Sequence, residues 1–159
     1  MKSKLVIIMF PLVALMLLPT MSRPHCEIPC GIYDDAMRYD MLVEDILTIE
    51  KSMDEIIKLS SQGEKNYNQL VRWVVNKEEH ANKIMEIIGQ YFLNQRLKPV
   101  APDNKEEYSN YIEQLTIMHQ ILIYAMKCKQ TTDKTNTEKL RELVSKSREL
   151  YFAEHGHEH

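Results

Sequence analysis

The chain has 159 residues, 44% of them hydrophobic, with 20 basic against 23 acidic side chains and a formal charge of −3. That length and apolar content suit a single domain with a real core. Basic residues are scattered and outnumbered, which argues against nucleic acid as a partner, and three cysteines are too few for a disulfide framework.

Residues 1–24 read as a cleaved leader, either a signal peptide or a propeptide. Lys2 and Lys4 give a basic start, Leu5 to Leu18 is an apolar run broken only by Pro11 and small residues, and Thr20-Met21-Ser22-Arg23-Pro24 is a polar spacer. The run has 14 residues, short of the roughly 20 that span a bilayer as helix, so no stable membrane anchor is expected. The expected destination is periplasmic or extracellular; a cytoplasmic protein after propeptide removal is the alternative. No pair of small residues marks the Pro24/His25 bond, so cutting there calls for a dedicated maturation protease or further trimming. Cleavage removes Lys2, Lys4, Arg23 and no acid, so 20 basic residues become 17 against 23 acidic, a net of −6.

Residues 25–33, His25-Cys26-Glu27-Ile28-Pro29-Cys30-Gly31-Ile32-Tyr33, form an irregular segment with metal-binding chemistry. A chain starting at His25 offers a free α-amine, an imidazole, the Cys26 amide nitrogen and the Cys26 thiolate within two residues. Amine and amide close one five-membered chelate ring, and amide and thiolate close a second. Cys30 folding back completes an N2S2 plane, which suits Ni(II) or Cu(II) better than tetrahedral zinc. Pro29 stiffens the return, Gly31 permits a turn that a side chain would block, and the His25 imidazole is free to approach axially. Cys26 and Cys30 could instead pair with each other, but metal is the preferred reading. Cys128 reads as a bystander.

Helical periodicity then runs almost to the end of the chain. Met37, Met41, Leu42, Ile46, Ile49, Met53, Ile56 and Ile57 predict a helix from about Asp35 to Leu59, stopped by Ser60-Ser61-Gln62-Gly63. A second helix turns Leu70, Val74, Ala81, Ile84, Ile88 and Tyr91 inward, with Lys77, Glu78, Glu79 and Lys83 expected outside. Lys98-Pro99-Val100-Ala101-Pro102 forces extended chain. Asp103, with Glu106 three residues on, is the expected cap of a third helix whose inward stripe is Tyr108, Ile112, Leu115, Ile121, Leu122 and Ala125. Thr135-Asn136-Thr137-Glu138 opens a fourth through Leu140, Leu143, Val144 and Leu150. Residues 34–154 are therefore expected to form an all-α, up-and-down four-helix bundle behind an irregular N-terminal metal-binding hook.

A bundle has no function by itself. The Glu-x-x-His pairs of di-iron bundles are not found: three residues before His80 stands Lys77, and before His119 stands Thr116. Both histidines read as surface or core residues rather than ligands, and Trp73 and the methionine stripe as bundle core or subunit contact. The His-rich tail, residues 155–159, is either a solvated end or a collector of metal ions.

Residues 25–33 resemble the nickel hook of the nickel superoxide dismutases, His-Cys-x-x-Pro-Cys-Gly-x-Tyr at the mature N-terminus. All six fixed positions are present in His25, Cys26, Pro29, Cys30, Gly31 and Tyr33. The similarity continues more loosely through Asp34 to Arg38, Arg72 to Ala81, and Gln90-Tyr91-Phe92 to Lys98-Pro99. It implies disproportionation of superoxide to dioxygen and hydrogen peroxide, with one nickel ion per subunit alternating between Ni(II) and Ni(III). His25 would supply amine and axial imidazole, Cys26 amide and thiolate, and Cys30 thiolate. Tyr33 would line the substrate entrance and hold water or the anion by its hydroxyl. A homohexamer is implied as well. One departure stands out: the family glutamate that in some members holds the axial imidazole falls on Met41. Asp40 and Glu44 are the nearby substitutes, ahead of Arg38 and His80. The competing function is a secreted nickel or copper carrier without turnover, since the same donors also bind Cu(II) tightly.

Overall fold

The computed structural model describes residues 31–155. Four helices follow in order: α1 (Asp35–Ser61), α2 (Tyr67–Glu86, continued by a π-helical segment Ile87–Arg96), α3 (Lys105–Gln130) and α4 (Thr135–His155). α1 packs on α2, α2 on α3, α3 on α4, and α4 back on α1. Each helix thus meets its neighbours in chain order around a ring, the arrangement of an up-and-down bundle. Residues 34–154 carry the expected all-α fold, and no strand occurs among the described residues.

Local chemistry sets the ends. Asp34 caps α1, its carboxylate accepting from the Met37 amide at 2.9 Å, and Asn66 caps α2 through the Gln69 amide at 3.2 Å. α3 starts one residue later than expected. Asn104, not Asp103, is its cap, because the Asp103 carboxylate accepts from the Asn104 amide instead. At α4, Asp133 outcompetes the expected threonine box by accepting from both the amide and the hydroxyl of Thr135, at 3.0 and 2.9 Å.

The core is built from Tyr39, Leu42, Ile46, Ile49 and Met53 of α1, Ala81, Ile84, Ile88 and Phe92 of α2, Ile117, Met118, Ile121, Ala125 and Cys128 of α3, and Leu140, Leu143, Val144 and Tyr151 of α4. Burying one such aliphatic side chain is worth about 1.5–3 kcal/mol. Compared with the periodicity, the buried faces of α1, α2 and α3 are shifted, while Leu140, Leu143 and Val144 of α4 are buried as expected. Met37, Met41 and Ile57 stay exposed on α1, Val74 on α2, and Ile112 on α3. Gln114, Ile117 and Met118 take the place expected for Tyr108 and Ile112. Tyr39 explains the shift in α1: it anchors an aromatic cluster with Phe92, Tyr151 and Phe152, and its hydroxyl pairs with that of Ser147 at 3.0 Å.

Lys77 corrects another expectation. It is buried, not exposed, and its ammonium donates to the Cys128 carbonyl at 2.7 Å and to the Lys129 carbonyl. A long cation closing the last turn of α3 satisfies carbonyls that lack helical donors and complements the helix dipole.

Candidate metal centre

His25, Cys26 and Cys30, the expected metal ligands, lie outside the described residues, as do the leader and the end of the His-rich tail. The description begins at Gly31, whose φ of 75° is left-handed, a conformation glycine adopts without the penalty of a Cβ. Two residues on stands Tyr33, directly before the Asp34 cap.

Tyr33 is half-buried and packed on the core. The Arg96 guanidinium lies over its ring, 4.4 Å from the centroid, within reach of cation–π attraction. Tyr91 meets it edge-on, with ring centroids 5.8 Å apart and planes at 77°. Among the described residues, nothing hydrogen-bonds the Tyr33 hydroxyl. Arg38 sits over the other tyrosine, 4.9 Å from the Tyr91 centroid. Among the described residues its Nη1 reaches only the Met41 sulfur, at 3.7 Å, and its Nε is buried without a partner.

Beneath this pair lies a carboxylate that sequence reasoning missed. Asp35, only 5% exposed, accepts from the Tyr91 hydroxyl at 2.6 Å and from the Tyr151 hydroxyl at 2.8 Å. Arg96 adds Nε contacts at 2.9 and 3.1 Å and Nη2 at 2.5 Å. Burial disfavours its charged form, but the bonds from Arg96, Tyr91 and Tyr151 outweigh that and hold the carboxyl below its ordinary value. Burial and the bond to Asp35 push both phenols up, so Tyr91 and Tyr151 keep their protons at neutral pH.

The π-helical segment makes this convergence possible. Residues five apart diverge by about 140° around an α-helix, which would turn Tyr91 and Arg96 away from each other. With i→i+5 bonding they come to one face, and the segment closes with the Leu97 amide on the Phe92 carbonyl at 2.8 Å. The sequence hint was that both segments, Asp34-Asp35 and Gln90-Tyr91-Phe92, fall within the looser part of the resemblance.

Two of the other candidates are engaged elsewhere: His80 Nδ1 meets Asp45 Oδ1 at 2.6 Å and Asp40 pairs with Arg148 at 2.6 Å. Glu44 and Met41 stand exposed on α1. Cys128 is fully buried; burial pushes its thiol up to about 11, so it is no thiolate donor at neutral pH. Among the described residues no three His, Cys, Asp or Glu side chains gather into a metal site, and no helix is long and apolar enough to cross a membrane.

Compared with known proteins, residues 20–155 match a family described as nickel-containing superoxide dismutase. No curated protein and no solved structure gives a significant match.

Proposed function

The chain belongs to the nickel-containing superoxide dismutase family and is an oxidoreductase of that kind, and we propose that residues 25–33 carry its active site. The match spans the hook and the whole bundle, and this is the observation on which the reading rests. Nickel suits the donors available: with Cys128 protonated in the core, the thiolates left to the chain are Cys26 and Cys30, in the N2S2 spacing that favours square-planar ions. His25 would add its amine and its imidazole, for one nickel per subunit.

When bound, nickel supplies the one-electron couple, Ni(II)/Ni(III), needed to take an electron from one superoxide and give it to another. The reaction also consumes two protons for each hydrogen peroxide formed. Tyr91 and Tyr151 hold their protons in bonds to Asp35 and are poor sources. The Tyr33 hydroxyl is different, since nothing among the described residues occupies it. It is the group that can hold water or the anion at the entrance. Arg38, with no carboxylate partner among the described residues, places positive charge on the aromatic pair and favours an anionic substrate in a chain that is acidic overall.

Removal of the leader at His25 by a maturation protease, export out of the cytoplasm and assembly into a homohexamer belong to the same proposal. Family membership and the leader's composition support them.

The test is turnover by processed, nickel-loaded protein. It should remove superoxide catalytically, and better with nickel than with copper. A variant retaining one residue before His25 should be inactive because its terminal amine has become an amide. Cys26→Ser and Cys30→Ser should fall to background, and Cys128→Ser should stay near wild type. Stoichiometric metal binding without turnover, or full activity in the extended variant, would reject the assignment.

A further inference from the structure

We propose that Asp35 is a positioning residue of this site, acting through Tyr33, and the proposal rests on the reading of Tyr33 given above. Among the described residues the Tyr33 ring has two polar or aromatic neighbours, the Arg96 guanidinium over its face and the Tyr91 ring at its edge. Both are tied to the same carboxylate, Arg96 through three contacts of 2.5 to 3.1 Å and Tyr91 through one of 2.6 Å. Asp35 thus fixes the two surfaces between which Tyr33 is held, although it does not itself touch the tyrosine's hydroxyl.

The geometry requires a charged group here. Asp35 stands at the first position of α1, directly after the Asp34 cap and two residues from Tyr33. It joins α1 to the π-helical end of α2 and to Tyr151 of α4. Only a carboxylate can accept from two phenols and a forked guanidinium at once. An amide there would present one acceptor oxygen and two N–H donors. Its donors would face Arg96 and the phenols, and the guanidinium, already partly exposed, would be free to swing from the Tyr33 ring to water. The hydroxyl of Tyr33 would then lose its fixed direction, and misplacement of a substrate-holding group by about 1 Å can cost up to a hundredfold in rate.

Asp35 also ties three helices together, so a simple loss of activity would not separate positioning from scaffolding. A double-mutant cycle does. Processed, nickel-loaded full-length protein is compared as wild type, Tyr33→Phe, Asp35→Asn and the double variant, reading kcat/KM for superoxide and, separately, the unfolding midpoint. We expect Tyr33→Phe and Asp35→Asn each to lower kcat/KM by about tenfold, and the double variant to be no worse than Tyr33→Phe alone. If the two losses multiply, Asp35 does not act through Tyr33 and the proposal fails while the role of Tyr33 stands. If Tyr33→Phe alone is as active as wild type, the reading of Tyr33 falls and takes this inference with it. Should Asp35→Asn not fold, Arg96→Gln provides the same cycle, because it removes the Asp35-held group that covers the ring. Its loss must likewise vanish in the Tyr33→Phe background.

Discussion

Asp35 and Asp45 stand ten residues apart on α1, each 5% exposed, yet they titrate in opposite directions. Burial raises both. At Asp35 a guanidinium and two phenols outweigh it and the carboxyl ends below its ordinary value. At Asp45 the principal offset is His80, through one 2.6 Å contact, and the carboxyl ends above its ordinary value. Depth alone therefore does not decide whether a buried acid stays ionised. The number of donors and the presence of a permanent cation decide it. The two acids also differ in what they serve: Asp35 braces the neighbours of Tyr33, whereas Asp45 links the middles of α1 and α2.

The sharpest way to break this contrast is to take the cation from Asp35. Arg96→Gln leaves the carboxylate with two phenol donors and no compensating charge. Removing one partner of a buried ion pair costs 3–5 kcal/mol where both are fully buried. Here the Arg96 side chain is 21% exposed, so a loss of about 2–3 kcal/mol is expected in urea unfolding at pH 7. A loss below about 0.5 kcal/mol would mean that the tyrosines alone suffice and that Asp35 resembles Asp45 after all.

Little of this could be read from the sequence. Helix number, order and approximate ends were legible because an amphipathic pattern is local and repeats every three to four residues. The resemblance of residues 25–33 is local in the same way, since the donors proposed there lie within six consecutive residues. Asp35, by contrast, meets Tyr91, Arg96 and Tyr151 across 56, 61 and 116 residues, and none of these carries a local signature of the others. Lys77 is a similar case. In sequence it looks like part of a solvated charged run, and only the packing of α2 against the end of α3, 51 residues on, supplies the carbonyls that make its burial tolerable. The π-helical segment was also invisible, because no residue type distinguishes i→i+5 from i→i+4 bonding.

Acid unfolding gives the next test. A carboxyl held below its ordinary value adds stability that is present above the unfolded value of 3.8 and lost as pH falls through the folded value. Asp35→Asn removes that contribution. The stability gap between wild type and Asp35→Asn should therefore be widest near neutrality and narrow as pH drops below 3.8. A gap constant from pH 7 to pH 2 would show that Asp35 contributes through shape alone.

Asp45→Asn should have the smallest effect and the opposite pH dependence. A carboxyl held above its ordinary value contributes stability that is full below 3.8 and lost as pH rises through the folded value. Ionising Asp45 thus works against folding, with His80 offsetting only part of the cost of burial. An asparagine of nearly the same shape carries no charge and still offers an oxygen to His80. Its stability at pH 7 should lie within about 1 kcal/mol of wild type and on the stabilising side, with that advantage shrinking as pH falls toward 3.8. Unfolding midpoints at several pH values would reveal the trend. A large loss at neutral pH would mean that the His80 contact compensates burial as fully as Arg96 does at Asp35, and the distinction between the two acids would disappear.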